Sequence, residues 1–167
     1  MAELLPQERL QPSLLDRLTD DTPDAREETR DKRVLSIMQM RTSVLRDVSW
    51  LLNTVHLQAT QDLGDWPQVA SSTVNYGIPD LAGTSAAGRN TAALERAVRQ
   101  AVLNFEPRIL SDTLKVTVRI DAEQMSRHAM LFIIEGQLWA QPVPLSLYLK
   151  TELDLETGTV TVAESSR

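Results

Sequence analysis

Pro107 separates two hydrophobic rhythms that cannot belong to one element. Before it, Leu94, Ala97, Val98, Ala101, Val102 and Phe105 recur at intervals of three and four, the spacing of a single buried helix face. Pro107 has no amide hydrogen and pushes its predecessor out of the α region, so the helix must stop about there. After it, Leu114, Val116, Val118 and Ile120 alternate with Lys115, Thr117, Arg119 and Asp121, a half-buried strand. The boundary leaves Glu106 beside the negative end of the helix dipole, an unfavourable place for a carboxylate unless a cation answers it. Arg108 stands two residues on. A charged pair flanking a helix-ending proline is a local inconsistency, and such inconsistencies gather at functional sites. Two plainer readings compete with that one. Arg108 caps the last helical carbonyls, or Glu106 pairs with a nearby base or points into water.

The ends of the chain carry its charge. Residues 1–33 hold nine acids against six bases, and residues 151–167 hold four against one. The middle balances, so the net charge of −6 resides in two arms around a neutral body. This divides the chain into an N-terminal arm and acidic lead-in (1–33), a folded domain (34–163) and a polar tail (164–167). The acidic balance and the lack of aromatic runs argue against a nucleic-acid binder. Cysteine is absent, which excludes disulfides, thiolate metal sites and cysteine nucleophiles. No apolar run reaches membrane-spanning length, and Met1-Ala2-Glu3-Leu4-Leu5-Pro6 lacks the basic region of a signal peptide. A cytoplasmic protein is expected.

Within the first arm, Pro12-Ser13-Leu14-Leu15-Asp16-Arg17-Leu18 has the start of a helical turn with Leu14, Leu15 and Leu18 on one side. A turn this short cannot stabilise itself in water, so it must dock on its own domain or on a partner. Thr22-Pro23-Asp24 reads as a helix start, and Glu28 and Lys32 form a favourable i,i+4 pair. Val34, Met38, Leu45, Val48 and Leu52 then make one stripe, widened by Ile37, Val44, Leu51 and Val55. Either one helix runs from Thr22 or a second restarts near Thr42. Residues 54–90 form a long connection that either packs through Trp66, Val69, Val74, Tyr76, Ile78 and Leu81 or serves binding. Asn90 and Thr91 cap the helix that ends at Phe105.

Beyond the first strand, Met130 to Glu135 is almost continuously apolar, as in a central strand covered on both sides. Val143, Leu145, Leu147, Leu149, Leu153 and Leu155 share one face of a long third strand. Glu156-Thr157-Gly158 turns into Val160 and Val162. The predicted body is α+β: two main helices on one face of a four-stranded antiparallel meander, with an N-terminal arm.

Chemistry is thinly signalled. His56 and His128 stand alone, with no metal-ligand spacing, and no nucleophile elbow or phosphate loop occurs. Arg89, Arg96, Arg99 and Arg108 surround the second main helix as a solvated or partner-facing edge. A two-carboxylate glycosidase needs a protonated acid in an apolar pocket, and Glu106 is the best single candidate. Its neighbour Arg108 is the wrong company for a group that must hold a proton. No catalytic residue, metal or cofactor is expected.

Three segments in order, Arg46-Asp47-Val48-Ser49-Trp50-Leu51-Leu52-Asn53-Thr54, Val74-Asn75-Tyr76-Gly77-Ile78-Pro79-Asp80-Leu81 and Asn104-Phe105-Glu106-Pro107-Arg108-Ile109, resemble the TssE family of type VI secretion baseplate subunits. That family is related to the gene-25 wedge protein of contractile phage tails, and the segment around Leu14 to Leu18 also fits. The family is often labelled lysozyme-like. The resemblance implies a structural part of a baseplate wedge, with a peptidoglycan hydrolase using Glu106 as the alternative. It places Glu106, Pro107 and Arg108 against a helical core bundle of TssF- and TssG-like subunits. Leu14, Leu15, Asp16, Arg17 and Leu18 join them as partner-binding residues. It further implies a TssK-like adaptor nearby and a sheet edge meeting TssB- and TssC-like sheath subunits. The baseplate would dock at the inner membrane, without direct insertion of this chain. On this reading the Glu106–Arg108 pair is completed by a partner's opposite charges, for register and specificity. Either outer strand of the meander offers unpaired backbone groups.

Overall fold

Alternation decides the sheet. In a computed structural model, which describes residues 13–19, 37–81, 91–119, 129–139, 144–154 and 156–165, four strands form one antiparallel meander in chain order. They are β1 (Lys115–Arg119), β2 (Ala129–Leu138), β3 (Leu145–Asp154) and β4 (Val160–Glu164). The register pairs Val116 with Ile134 and Val118 with Phe132, then Ile134 with Leu149 and Leu153 with Val160. Side chains at every second position therefore share a face. Met130, Phe132, Ile134, Leu138, Leu147, Leu149, Leu153 and Val160 are buried there, with Val116, Val118 and Val162 packed at its margins. Thr151 lies fully buried in the same row, its hydroxyl donating to the Phe132 carbonyl oxygen at 3.1 Å. The expected central strand is β2, paired along both edges and four residues longer than its apolar run suggested.

Two long helices cover that face: α2 (Ile37–Leu52) and, after the short α1 (Leu14–Leu18) and α3 (Pro67–Ala70), α4 (Thr91–Phe105). The expected α4 face is buried through Leu94, Val98, Ala101 and Val102. The α2 stripe differs from expectation. Met38 is 76% exposed, and the buried row is Met40, Val44, Val48, Leu51 and Leu52. Met38 and Met40 lie about 200° apart around a helix, and Val44, Val48 and Leu51 set the phase that buries the second. Val55 does not widen the stripe, because the helix has ended before it. Nor does a helix restart near Thr42: α2 crosses that residue, whose hydroxyl donates back to the Met38 carbonyl oxygen at 3.0 Å.

The long connection packs in part. Val55 and Ile78 form an isolated parallel bridge, with the Ile78 amide donating to Thr54 O at 2.8 Å and the His56 amide to Ile78 O at 3.0 Å. Gly77 makes this possible. Its φ is 126°, and a Cβ there would collide with the Thr54 carbonyl oxygen and the His56 nitrogen. Leu63, Ile78 and Leu81 are buried, and so is Asn75, which bonds the Gln58 amide and the Ala70 carbonyl. Trp66 and Val74, named in the packing alternative, are exposed. Several expectations fall outside the described residues: the Thr22 helix start, the Glu28–Lys32 pair, Val34, Arg89, the Asn90 cap, Ile120, Asp121, His128, Val143 and Leu155.

Candidate functional site

Helix α4 ends as Pro107 requires. The Glu106 amide makes the last helical bond, to Val102 O at 2.9 Å, and the Ile109 amide closes a turn on Glu106 O at 3.2 Å. The chain then runs beside the end of β2. The Leu110 amide donates to Gln137 O at 2.8 Å, and the Trp139 amide to Arg108 O at 2.7 Å. With its backbone fixed on that side, Arg108 turns its side chain back across the helix end.

There it meets Glu106. Arg108 Nε donates to Glu106 Oε1 at 2.7 Å, Nη2 bonds Oε2, and the Arg108 amide reaches Oε1 at 3.2 Å. Glu106 is 3% exposed, so this carboxylate is both desolvated and fully answered. Arg108 Nη2 also bonds Asp47 Oδ2 on α2. Asp47 Oδ1 in turn accepts from Arg46 Nε at 2.8 Å, and Arg46 Nη1 pairs with Asp16 Oδ1 on α1 at 2.7 Å. Asp16 Oδ2 accepts from the Ser13 hydroxyl at 2.7 Å. Five charges of alternating sign thus run from α4 across α2 to α1.

This corrects the expectation of an open pair. The cation that completes Glu106 is its own neighbour, and the acid that completes Arg108 comes from α2. The alternative in which Glu106 pairs with a nearby base describes it. Burial works against both charges, but for Arg108 the bonds and charges of Glu106 and Asp47 outweigh it and hold the guanidinium above its usual range. Burial likewise opposes the ionised Asp16, yet hydrogen bonds from Ser13, Arg46 and Ser43 hold its carboxyl below the usual range.

Tyr76 ties in the connection. Its ring meets Phe105 edge-to-face, with centroids 5.2 Å apart, and its hydroxyl donates to the Asp47 carbonyl oxygen at 3.4 Å. Burial, then the charges of Asp47 and Glu106, push its phenol up. The three sequence segments singled out above therefore converge at Asp47, Tyr76 and Phe105–Arg108. Asp47, Arg46 and Tyr76 were not expected as site residues. The segments that contain them were visible, but nothing local says that Asp47 faces a residue 61 positions away.

Of the other expected site residues, Pro107 is exposed and Asp16 joins the network. Leu14, Leu15 and Leu18 are 70%, 43% and 75% exposed. The Arg17 side chain lies outside the described residues. Trp50 is half-exposed one helical turn from Arg46, whose guanidinium sits 5.1 Å from its ring centre. A hollow lined by Asn53, Thr54, Ile78, Asp80, Thr157 and Thr159 contains none of the networked residues. Among the described residues no group of three or more histidines or acids could hold a metal, and no helix is long and apolar enough to cross a membrane.

Side chains guard part of each sheet edge. On β1, Glu95 Oε1 accepts the outward Val118 amide at 2.8 Å, and Arg99 Nε donates to Leu114 O at 3.3 Å. Arg99, expected on a solvated or partner-facing edge, thus ties α4 to the lead-in of β1. On β4, Asn53 takes both backbone groups of Val160, at 2.8 and 2.9 Å. Antiparallel alternation then turns the N–H and C=O of Val162 away from β3 as well.

Fold and site together define a helix-backed β-meander whose charged cluster is closed on itself. The chain belongs to the baseplate wedge protein gp25 family, whose profile matches residues 38–143. Searches of curated proteins and of solved structures gave no match. The family carries a phage-tail-like baseplate role and interaction with other baseplate proteins.

Proposed function

We propose that this chain is a non-catalytic structural subunit of a type VI secretion baseplate wedge, joining the wedge core bundle to the first layer of contractile sheath. The observation that carries the reading is the state of Glu106: buried, with both carboxylate oxygens bonded to Arg108. A hydrolase acid must reach a scissile oxygen and hold a proton for it. Glu106 is instead a structural charge that fixes the end of α4 to α2. The surface it braces includes exposed Pro107 and the rims of Arg108 and Asp47, each about a quarter exposed. With Leu14, Leu15 and Leu18 it forms the face we assign to the TssF- and TssG-like bundle. Exposed leucines on a preformed turn suit an apolar groove on a partner.

The sheath side is assigned to β4. Glu95 and Arg99 tie the β1 edge to α4, and on β4, beyond the Asn53 clamp on Val160, the N–H and C=O of Val162 face away from β3. An edge strand in that state accepts an extended segment through main-chain bonds. The test uses Leu14→Ser with Leu18→Ser, two changes at exposed positions. Loss of co-purification with the core-bundle subunits, at unchanged melting temperature, is the expected result. Full retention of binding would remove α1 from the interface. For the catalytic alternative, clearing of a cell-wall suspension by the purified chain, abolished by Glu106→Gln, would overturn the assignment.

A further inference from the structure

We propose that α1 is an electrostatic strap, held to the body by competition for one guanidinium, that of Arg46, and released when that contact is screened or neutralised. Three observations lead there. The helix has five residues, too few to persist unaided. Its leucines, the groups that would ordinarily fasten it, point to solvent at 70%, 43% and 75% exposure. Among the described residues its tie to the body is polar: Asp16 Oδ1 to Arg46 Nη1 at 2.7 Å, with Ser43 of α2 adding a hydrogen bond to the same carboxylate.

The helix is also organised around that one acid. Ser13 caps it, accepting the Asp16 amide at 3.2 Å and donating to Asp16 Oδ2 at 2.7 Å. Its far end closes through the Thr19 amide and hydroxyl, both on Leu15 O. Asp16 is thus the point where helix integrity and attachment meet.

Arg46 serves a second master. It also bonds Asp47, which shares Arg108 with buried Glu106, and it lies over the Trp50 ring. A carboxylate arriving at Arg46 would replace Asp16 without disturbing the buried end of the network, where Arg108 stays satisfied by Glu106. Release of α1 would uncover an arginine-on-tryptophan platform and free the leucine-bearing turn. Attachment of α1 and occupancy of Arg46 by another acid are linked, each weakening the other by the same factor.

The strap is testable without any partner, so its failure is separate from failure of the assigned interface. The full chain has no cysteine, so Leu18→Cys accepts a single nitroxide label. Raising sodium chloride from 0.05 to 1 M, a range that shortens the screening length from over ten ångströms to about three, should raise the mobile fraction of the label. Asp16→Asn should give that spectrum at low salt. Hydrogen exchange at the Leu18 and Thr19 amides should quicken by about 1.5- to fivefold in both cases, the range for a partly exposed ion pair. Exchange across α2, α4 and the sheet should stay as in the wild type. Salt-independent label mobility would overturn the proposal, because apolar contact would then hold α1. Parallel loosening of α2 would overturn it as well, because Asp16 would then belong to the global fold.

Discussion

Replacing Arg108 by methionine keeps an unbranched apolar stem and removes the cation. Among the described residues, Glu106 then remains a carboxylate at 3% exposure with its side-chain donor gone, and Asp47 keeps Arg46. Breaking one partner of a buried ion pair costs about 3–5 kcal/mol, because the surviving charge stays desolvated. Arg108 and Asp47 are each about a quarter exposed, so water recovers part of that loss and the lower end applies, about 3 kcal/mol. For a domain of this size each kcal/mol moves the melting temperature by roughly 2–4 °C, which gives a fall of roughly 6–12 °C. Adding Glu106→Met removes the orphaned charge, so the double variant should melt above Arg108→Met alone. Calorimetry on the four proteins of this cycle measures both numbers. An Arg108→Met protein that melts within about 2 °C of wild type would refute the closed network. It would restore the open pair that the sequence suggested.

Other outcomes follow from the same geometry. Gly77→Ala places a methyl group against the Thr54 carbonyl at a φ of 126° and should cost at least about 2 kcal/mol in urea unfolding, more than glycine-to-alanine changes at ordinary φ. Asn53→Ala strands the outward N–H and C=O of Val160 and should cost about 1–3 kcal/mol, with faster amide exchange confined to β4 and the end of α2. Asp16 has a folded-state pKa below its ordinary 3.8, so the unfolded chain binds the extra proton. Its contribution is present above that value and lost as pH falls through the folded value. The difference in α1 amide exchange between wild type and Asp16→Asn should therefore be full at pH 7 and shrink steadily as pH falls below 3.8. Tyr76 has the opposite sign: its phenol is held above 10.0, so its contribution should disappear as pH climbs past that value, a loss that Tyr76→Phe lacks.

Much of this fold was legible because its elements obey simple periods. The α4 face, the stop at Phe105 and the alternation of β1 were readable before any coordinates, since one proline and two spacings suffice. The phase of α2 was not. Met38 and Met40 are both apolar and two residues apart, and a stripe counted from Val34 selects the wrong one. Helix packing on the sheet, not composition, makes the choice. The site shows the same division. Glu106 and Arg108 could be singled out as a pair by local reasoning alone. That Asp47 answers Arg108 depends on how α2 crosses α4, and no spacing in the chain encodes that. Asn53 is similar: nothing near it in the chain gives it a partner. Its use as a clamp on both backbone groups of Val160 is a tertiary fact. Nor could the sequence show how the sheet edges are guarded: Arg99 reads as part of a solvated or partner-facing edge until α4 is laid beside β1, and nothing local sets Glu95 against the Val118 amide.

Amide hydrogen exchange on the chain alone and in complex with co-expressed wedge and sheath subunits tests the assembly reading most directly. Slowed exchange at Leu14–Leu18 and at Arg108–Ile109 with core-bundle subunits, and at Val162 with sheath subunits, is the result this account requires. Exchange unchanged at all three, with protection gathered instead on the outer sheet face around Lys115, Glu135 and Lys150, would contradict it.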